Sequence, residues 1–274
     1  MTPSHGDRVF SGSIAQLYEQ YLVPLIFDPY AKDLTTRLAA LRPSAVLEIA
    51  AGTGVVTRHM AARLPADVSI VATDLNQPML DHAMRIGTSR AVTWRQADAM
   101  SLPFGDGTFD AVVCQFGAMF FPDKAAAFAE ARRVLRPGGA FLFNVWDRIE
   151  DNEFADCVTE AMAGLFPSDP PRFLARLPHG HHDRSAIANA LVHGGFTGAT
   201  VFDTVTAQSR ADSSRSVAVA FCQGTPLRNE IEARNASLLS EATDIAAAAI
   251  GRRFGVGEVT GKIQALVVAA TREA

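Results

Sequence analysis

Cysteine is scarce in this sequence. Cys114, Cys157 and Cys222 are the only three among 274 residues, an odd number at wide spacings with no Cys-x-x-Cys pair. That usage excludes a disulfide framework and a zinc knuckle and fits reduced thiols in a cytoplasm. Positive charge is not in excess either. With 25 Lys and Arg against 29 Asp and Glu the net charge is -4, so the basic footprint that a phosphate backbone demands is missing and nucleic acid is disfavoured as a partner. The opening MTPSHGDRVFSGS lacks a basic stretch followed by an apolar one, and no apolar run approaches the roughly 18 residues that cross a bilayer. What is present is an ordinary globular composition, 48% hydrophobic and 20% charged, over a length that fits one large domain with inserted helical parts. A cytoplasmic protein that inserts into no membrane is expected. A homodimer is compatible with the chain, although no motif specifies one.

Hydrophobic spacing divides the chain into alternating elements. Phe10, Leu17, Tyr18, Tyr21, Leu22, Leu25 and Phe27 have a partly helical spacing that predicts a helical lead-in covering something else. A helical pattern over 33–41 stops before Pro43, and the apolar run 45–50 reads as a first strand that ends in a glycine loop. There follow a helix over 54–64, a strand over 69–73, a helix over 77–87, and strands over 91–96 and 109–115. Asp123 opens a helix with Ala127, Ala131, Val134 and Leu135 on one face, which Pro137-Gly138-Gly139 should stop before a strand over 140–146. Alternation of this kind implies a parallel sheet. Beyond Trp146 come a helix marked by Phe154, Val158, Met162 and Leu165, a proline-rich stretch over 167–178, and a helix from an Asp183 cap to His193. A β-like run over 200–206, a helical block over 213–254 and a last strand over 262–270 complete the chain.

A strand that runs straight into Gly52-Thr53-Gly54 and then a helix lets a ligand approach the backbone closely and offers it unpaired helix amides. Any nucleotide-like ligand could use such a loop. Thr57 stands where the third glycine of a dinucleotide fingerprint belongs. Three carboxylates, Glu48, Asp74 and Asp98, fall at the carboxyl ends of successive strands, where open α/β sheets bind their ligands. Asp74 is placed to accept hydrogen bonds from two ribose hydroxyls, because a carboxylate only accepts. Asp98 could accept one from an exocyclic adenine amine, with the Ala99 backbone amide beside it. The alternatives are a cap on the helix near Gln77 for Asp74 and a plain loop carboxylate for Asp98.

VLEIAAGTG, ATDLNQPML, QADAMSLPFGDGTFDAVVCQFG and RRVLRPGGAFLF occur in this order over residues 44–147. Together they resemble the class I S-adenosylmethionine-dependent methyltransferases, in the branch related to the quinone C-methyltransferases. The resemblance implies an α/β, Rossmann-like three-layer sandwich with a mostly parallel seven-stranded sheet. It also implies S-adenosyl-L-methionine as cofactor. Carried over by position, Glu48 lies near the methionine end of the cofactor, through water or the loop, and Ala50, Gly52 and Gly54 form the loop beneath it. Asp74 holds the ribose, Leu75 and Met79 pack on adenine, Asp98 and Ala99 meet the adenine edge, and Gln115 lies near the methionyl portion. The family loop usually has glycine where this chain has Ala50. Gln115-Phe116-Gly117-Ala118 replaces the Asn/Asp-Pro-Pro-aromatic tetrapeptide of amino-methyltransferases acting on nucleobases or glutamine, which argues against DNA, RNA and protein amide substrates.

The organisation expected is a single domain over 1–274, with a helical lid over 1–32 and a cofactor-binding core over 44–147. Insertions after the fifth and sixth strands, 148–182 and 210–260, complete the helical cap and shape an acceptor pocket. Phe116, Met119, Phe120, Phe121, Phe154, Met162, Phe166, Phe173 and Phe221 make that pocket apolar unless they are simply core. The acceptor expected is a small, hydrophobic or aromatic metabolite methylated at carbon, oxygen or nitrogen. Tyr18 and Tyr21 would fold over the cofactor and exclude water during transfer. His179-Gly180-His181-His182-Asp183 concentrates imidazole, and His182 is the candidate general base facing the acceptor; an exposed loop is the plainer reading, and no metal site is expected. A cofactor-binding scaffold without turnover, and an NAD-dependent oxidoreductase disfavoured by Thr57 and Asp98, are the alternatives.

Overall fold

The computed structural model describes residues 13–273, so Phe10 and the first twelve positions of the expected lid lie outside the described residues. Seven strands form one sheet in the order β3-β2-β1-β4-β5-β7-β6. They are β1 (Ala45–Glu48), β2 (Ser69–Asp74), β3 (Thr93–Gln96), β4 (Phe109–Gln115), β5 (Leu135–Trp146), β6 (Val201–Ala211) and β7 (Val259–Thr271). The pairs from β3 across to β5 are parallel. Only β7 runs antiparallel, lying between β5 and β6. The chain winds outward from β1 in one direction through β2 and β3, and in the other from β4 to β5. A crevice therefore opens where the winding reverses, at the carboxyl ends of β1 and β4.

The central strands are apolar on both faces, as parallel strands covered on two sides must be. Val46 and Leu47 on β1, Val112 and Val113 on β4, and Phe141, Leu142 and Phe143 on β5 are all buried. Helices supply the covers. On one pair of contacts α2 (Asp28–Ala40) packs with α3 (Val55–Arg63), and on another α5 (Lys124–Val134) packs with α8 (Arg184–His193). Asp123 caps α5 by accepting from the Ala126 amide, and Asp183 caps α8 through the Ser185 and Ala186 amides. The first strand ends two residues before Ala50, because Ala50 turns to φ +55° and leaves the sheet.

The cap is built from the N-terminal turns and the helices that follow β5 and β6. A short α1 (Ser13–Leu17) runs into wide, π-type turns over Tyr18–Phe27 that enclose Pro24. Proline has no N–H to give a regular ladder, and a widened stretch accommodates it. These turns pack on α9 (Ser214–Gln223), which packs on α11 (Leu239–Phe254), which in turn packs on α6 (Glu153–Leu165). The helical block expected over 213–254 thus breaks into α9, α10 (Leu227–Asn235) and α11. Between α6 and α8 the proline-rich stretch carries one short helix, α7 (Phe173–Arg176).

Candidate functional site

Three consecutive features shape the loop after β1. The Ala51 amide donates to the Thr73 carbonyl at 2.9 Å, lacing the loop to β2. Ala50, Gly52 and Gly54 all take positive φ, +55°, +56° and +83°. At Gly54 glycine is required twice over, since a Cβ there would also fall 2.8 Å from the Trp94 ring. Ala50 occupies a backbone conformation that costs an alanine about 1 kcal/mol, and its methyl reaches toward Gly117. A Cβ on Gly117 would lie 2.5 Å from it. The glycine missing from the loop is in effect displaced to the end of β4.

Asp74 closes the loop from the side. Its Oδ2 accepts from the Gly52 amide at 2.9 Å and its Oδ1 from the Asn76 amide at 2.7 Å. Burial raises its carboxyl above the usual range, against those hydrogen bonds. Glu48 lies deeper still, 1% exposed and accepting from the Thr57 hydroxyl. Burial pushes its carboxyl up to about 8, again against its hydrogen bond. Glu48 therefore joins β1 to the first turn of α3.

A cavity lies over this loop and is lined by Ala50, Gly52, Asp74, Leu75, Met79, Asp98, Ala99 and Gln115 among the expected positions. Leu75 is 42% exposed at its mouth. Asp98 turns its chain locally, its Oδ1 accepting from the Met100 amide at 2.9 Å. Gln115 donates from Nε2 to the Phe27 carbonyl at 3.3 Å, while its buried Oε1 has no partner among the described residues. That orphaned acceptor and the Asp74 carboxylate fit a ligand bearing both an ammonium group and ribose hydroxyls. The residues present thus suit the cofactor that the motifs imply.

Four of the expected residues lie off the cavity wall. Glu48 is bonded to the Thr57 hydroxyl and Gly54 packs against Trp94 and Ala83, so both bear on the shape of the loop. Of the two tyrosines, Tyr18 lines the cavity and Tyr21 does not. Tyr18, Leu22 and Ile26 recur every four residues on the inner side of the cap, which carries Tyr21 out of line. Tyr18 stacks on Phe27 with ring centroids 4.9 Å apart. His182 is also displaced: its Nδ1 donates to the His179 carbonyl at 2.7 Å, which folds the ring back on its own loop. The cluster's representative in the cavity is His179.

The far half of the cavity is aromatic. Phe116 and Trp146 stack in parallel with centroids 3.8 Å apart, and Phe120, Phe154, Phe173 and Phe221 complete the wall. Among the described residues no Lys or Arg lines the cavity, and its carboxylates, Asp74 and Asp98, belong to the loop half. Trp146, Asn152 and Thr225 were not singled out from sequence. For Trp146 a signal was available, because it ends β5 two residues beyond Asn144, the partner of Gln115 at the end of β4.

Residues 46–139 match the family model described as a methyltransferase domain. The ubiquinone/menaquinone biosynthesis C-methyltransferase UbiE of Ectopseudomonas mendocina is 31% identical over 204 residues, 69% of this chain and 75% of that protein. The enzyme of the same name from Teredinibacter turnerae is 29% identical, over 69% of this chain and 77% of its own. Among solved structures, the Haemonchus contortus phosphoethanolamine N-methyltransferase 2, in complex with phosphomonomethylethanolamine and S-adenosylhomocysteine, superposes with a TM-score of 0.58 at 16% identity, over 98% of this chain and 60% of that one. Neither a dinucleotide-dependent oxidoreductase nor a scaffold without turnover accounts for these likenesses. Sequence kinship over most of a relative's length, and the fold that carries it, make this chain a member of the class I S-adenosylmethionine-dependent methyltransferases, an enzyme whose cofactor is S-adenosyl-L-methionine.

Proposed function

We propose that this enzyme methylates a small, uncharged, aromatic or otherwise apolar acceptor. The observation that carries the reading is the composition of the far half of the cavity: stacked aromatic rings and, among the described residues, no Lys or Arg. A carboxylate or phosphate on the acceptor would be buried there without a partner, at a cost of several kcal/mol. The names of the two curated relatives, quinone C-methyltransferases, agree with an aromatic acceptor. Three buried, unpaired cysteines suit the reducing cytoplasm as its compartment.

In this reading residues 13–32 belong to the lid, residues 44–147 hold the cofactor, and 148–182 with 210–260 shape the acceptor site. Asp74 accepts from the ribose, Leu75 and Met79 flank adenine, Asp98 and Ala99 meet its edge, and Gln115 Oε1 accepts from the amino group. Ala50 and Gly52 form the floor, and Glu48 and Gly54 hold it in place from below. When bound, the cofactor supplies an electrophilic methyl group. The protein's contribution is alignment and dryness: Tyr18 and the aromatic wall exclude water, and the stacked rings orient the acceptor plane.

The experiment pairs calorimetry of S-adenosylhomocysteine with transfer of labelled methyl to a panel of acceptors matched in size. Uncharged naphthols and hydroquinones should be methylated, and their carboxylated or phosphorylated counterparts should not. Preference for the anionic members would overturn the reading.

A further inference from the structure

Among the described residues, the acceptor half of the cavity holds three polar side chains besides the Trp146 indole, and two are already spent. Asn152 donates from Nδ2 to the carbonyls of Arg148 and Gln264 and accepts at Oδ1 from the Gln264 amide. Thr225 donates to the Phe221 carbonyl and accepts from the Leu227 amide. The third is His179, 5% exposed and beside Trp146 with ring centroids 5.8 Å apart.

Its Nδ1 lies 2.9 Å from the Asp147 carbonyl oxygen. A carbonyl can only accept, so Nδ1 carries the hydrogen, and a neutral ring in that tautomer keeps its lone pair on Nε2. The backbone fixes the ring further: the His179 amide donates to the Leu174 carbonyl at 3.0 Å, and its own carbonyl accepts from His182. We propose that His179 Nε2 is the group that receives a hydroxyl of the acceptor, holding its hydrogen in the ground state and taking its proton during transfer. This deepens the preceding reading and rests on it, since it presupposes an uncharged acceptor and adds that the acceptor bears a hydroxyl.

The proton and electrons balance as follows. The hydroxyl proton passes to Nε2, and the O–H electron pair serves the oxygen, or the conjugated ring carbon, that bonds the methyl carbon. The methyl carbon's bond to sulfur breaks, leaving its pair on sulfur, and the imidazolium later gives its proton to water. Methylation at a ring carbon leaves a dienone whose ring hydrogen then returns to oxygen. Burial holds the imidazole of His179 down at about 4, against the Asp147 carbonyl hydrogen bond, with His182, Glu150 and Asp147 the charged or titratable groups that act on it. It is a weak base, which suffices because the hydroxyl becomes strongly acidic as the new bond forms.

The test uses the full chain saturated with S-adenosylhomocysteine, with 1-naphthol and 1-methoxynaphthalene as calorimetric probes. The wild-type protein should bind the naphthol roughly 3–10-fold more tightly, the size of one neutral hydrogen bond. In His179→Phe the preference should vanish while S-adenosylhomocysteine affinity stays within about twofold. His179→Ala should lose roughly a hundredfold or more in kcat toward 1-naphthol, regained in part by added imidazole. Nitrogen-15 NMR of the wild-type ring should show Nδ1 protonated from pH 5 to 8, a measurement independent of any variant's folding. The proposal is overturned by a wild-type protein with no preference, by a preference that survives in His179→Phe, or by a proton on Nε2. Failure of S-adenosylhomocysteine to bind the wild-type chain would instead sink the methyl-transfer reading itself.

Discussion

Replacing Gly117 by alanine should cost this protein about 1–3 kcal/mol of stability, and removing the methyl of Ala50 should restore much of it. The new Cβ would stand 2.5 Å from Ala50 Cβ and 2.8 Å from Cys114 Sγ, where carbon atoms ordinarily approach to about 3.5–4.0 Å. Neither neighbour is the loose end of a long side chain, so the β1 loop or the end of β4 must move by about 1 Å, the kind of overpacking that carries the stated penalty. In a chain of this size that lowers the melting temperature by roughly 2–12 °C. Ala50→Gly alone should be nearly neutral: relief at φ +55° returns about 1 kcal/mol, and the lost methyl contact with the added unfolded-state freedom takes about the same away. In the double variant the closer collision is gone and only the sulfur contact remains. Thermal melts of the four proteins should therefore show a coupling of at least about 0.5–1 kcal/mol. Additive effects, or a Gly117→Ala protein that melts like the wild type, would refute the account of how the loop dispenses with its glycine.

Asp74→Ala removes the acceptor for Gly52 and Asn76 together with the ribose partner; at about 1.5–3 kcal/mol per charged hydrogen bond, S-adenosylhomocysteine affinity should fall roughly a hundredfold or more by calorimetry, and a change under fivefold would contradict the assignment. Tyr18→Ala should weaken the same binding about tenfold and Tyr21→Ala by less than twofold, because only the first ring lines the cavity; equal effects would refute the assignment. Glu48 is pushed up to about 8 in the folded protein from an ordinary 4.5, so the native state binds the extra proton and stability should decline as pH rises between those values and level off above. Urea titrations should show that slope in the wild type and a flatter one in Glu48→Gln; a slope of opposite sign would overturn it.

The parallel half of the fold was readable because each central strand is a continuous apolar run punctuated by glycine, proline or aspartate. Strand β4 and helix α8 fall where the pattern put them. Strand β6 did not, running on to Ala211 past the expected 206, because Gln208, Ser209 and Arg210 look like loop. They remain in register because β7 pairs with them residue by residue. Within the site, positions tied to a strand end or the glycine loop were placed by topology, so Asp74, Asp98 and Gln115 converge on one cavity. His179 and His182 sit in a loop without periodicity, and local bonds orient the two rings, His179 to the Asp147 carbonyl and His182 to the His179 carbonyl. Tyr18 and Tyr21 were separable only once the wide turns around Pro24 had set which side faces inward.

The lone antiparallel strand has a consequence for the order in which the molecule can assemble. Strand β6 touches the rest of the sheet only through β7, the last strand of the chain, and Ile263 of β7 forms part of the acceptor wall. A nascent chain can pair β1 to β5 and form the glycine loop before the later cap helices are made, whereas β6 can join the sheet only once residues 259–271 are in place. The donor side of the enzyme can thus exist before the acceptor side, and the exposed edge of β5 is the surface most open to misassociation in the interval.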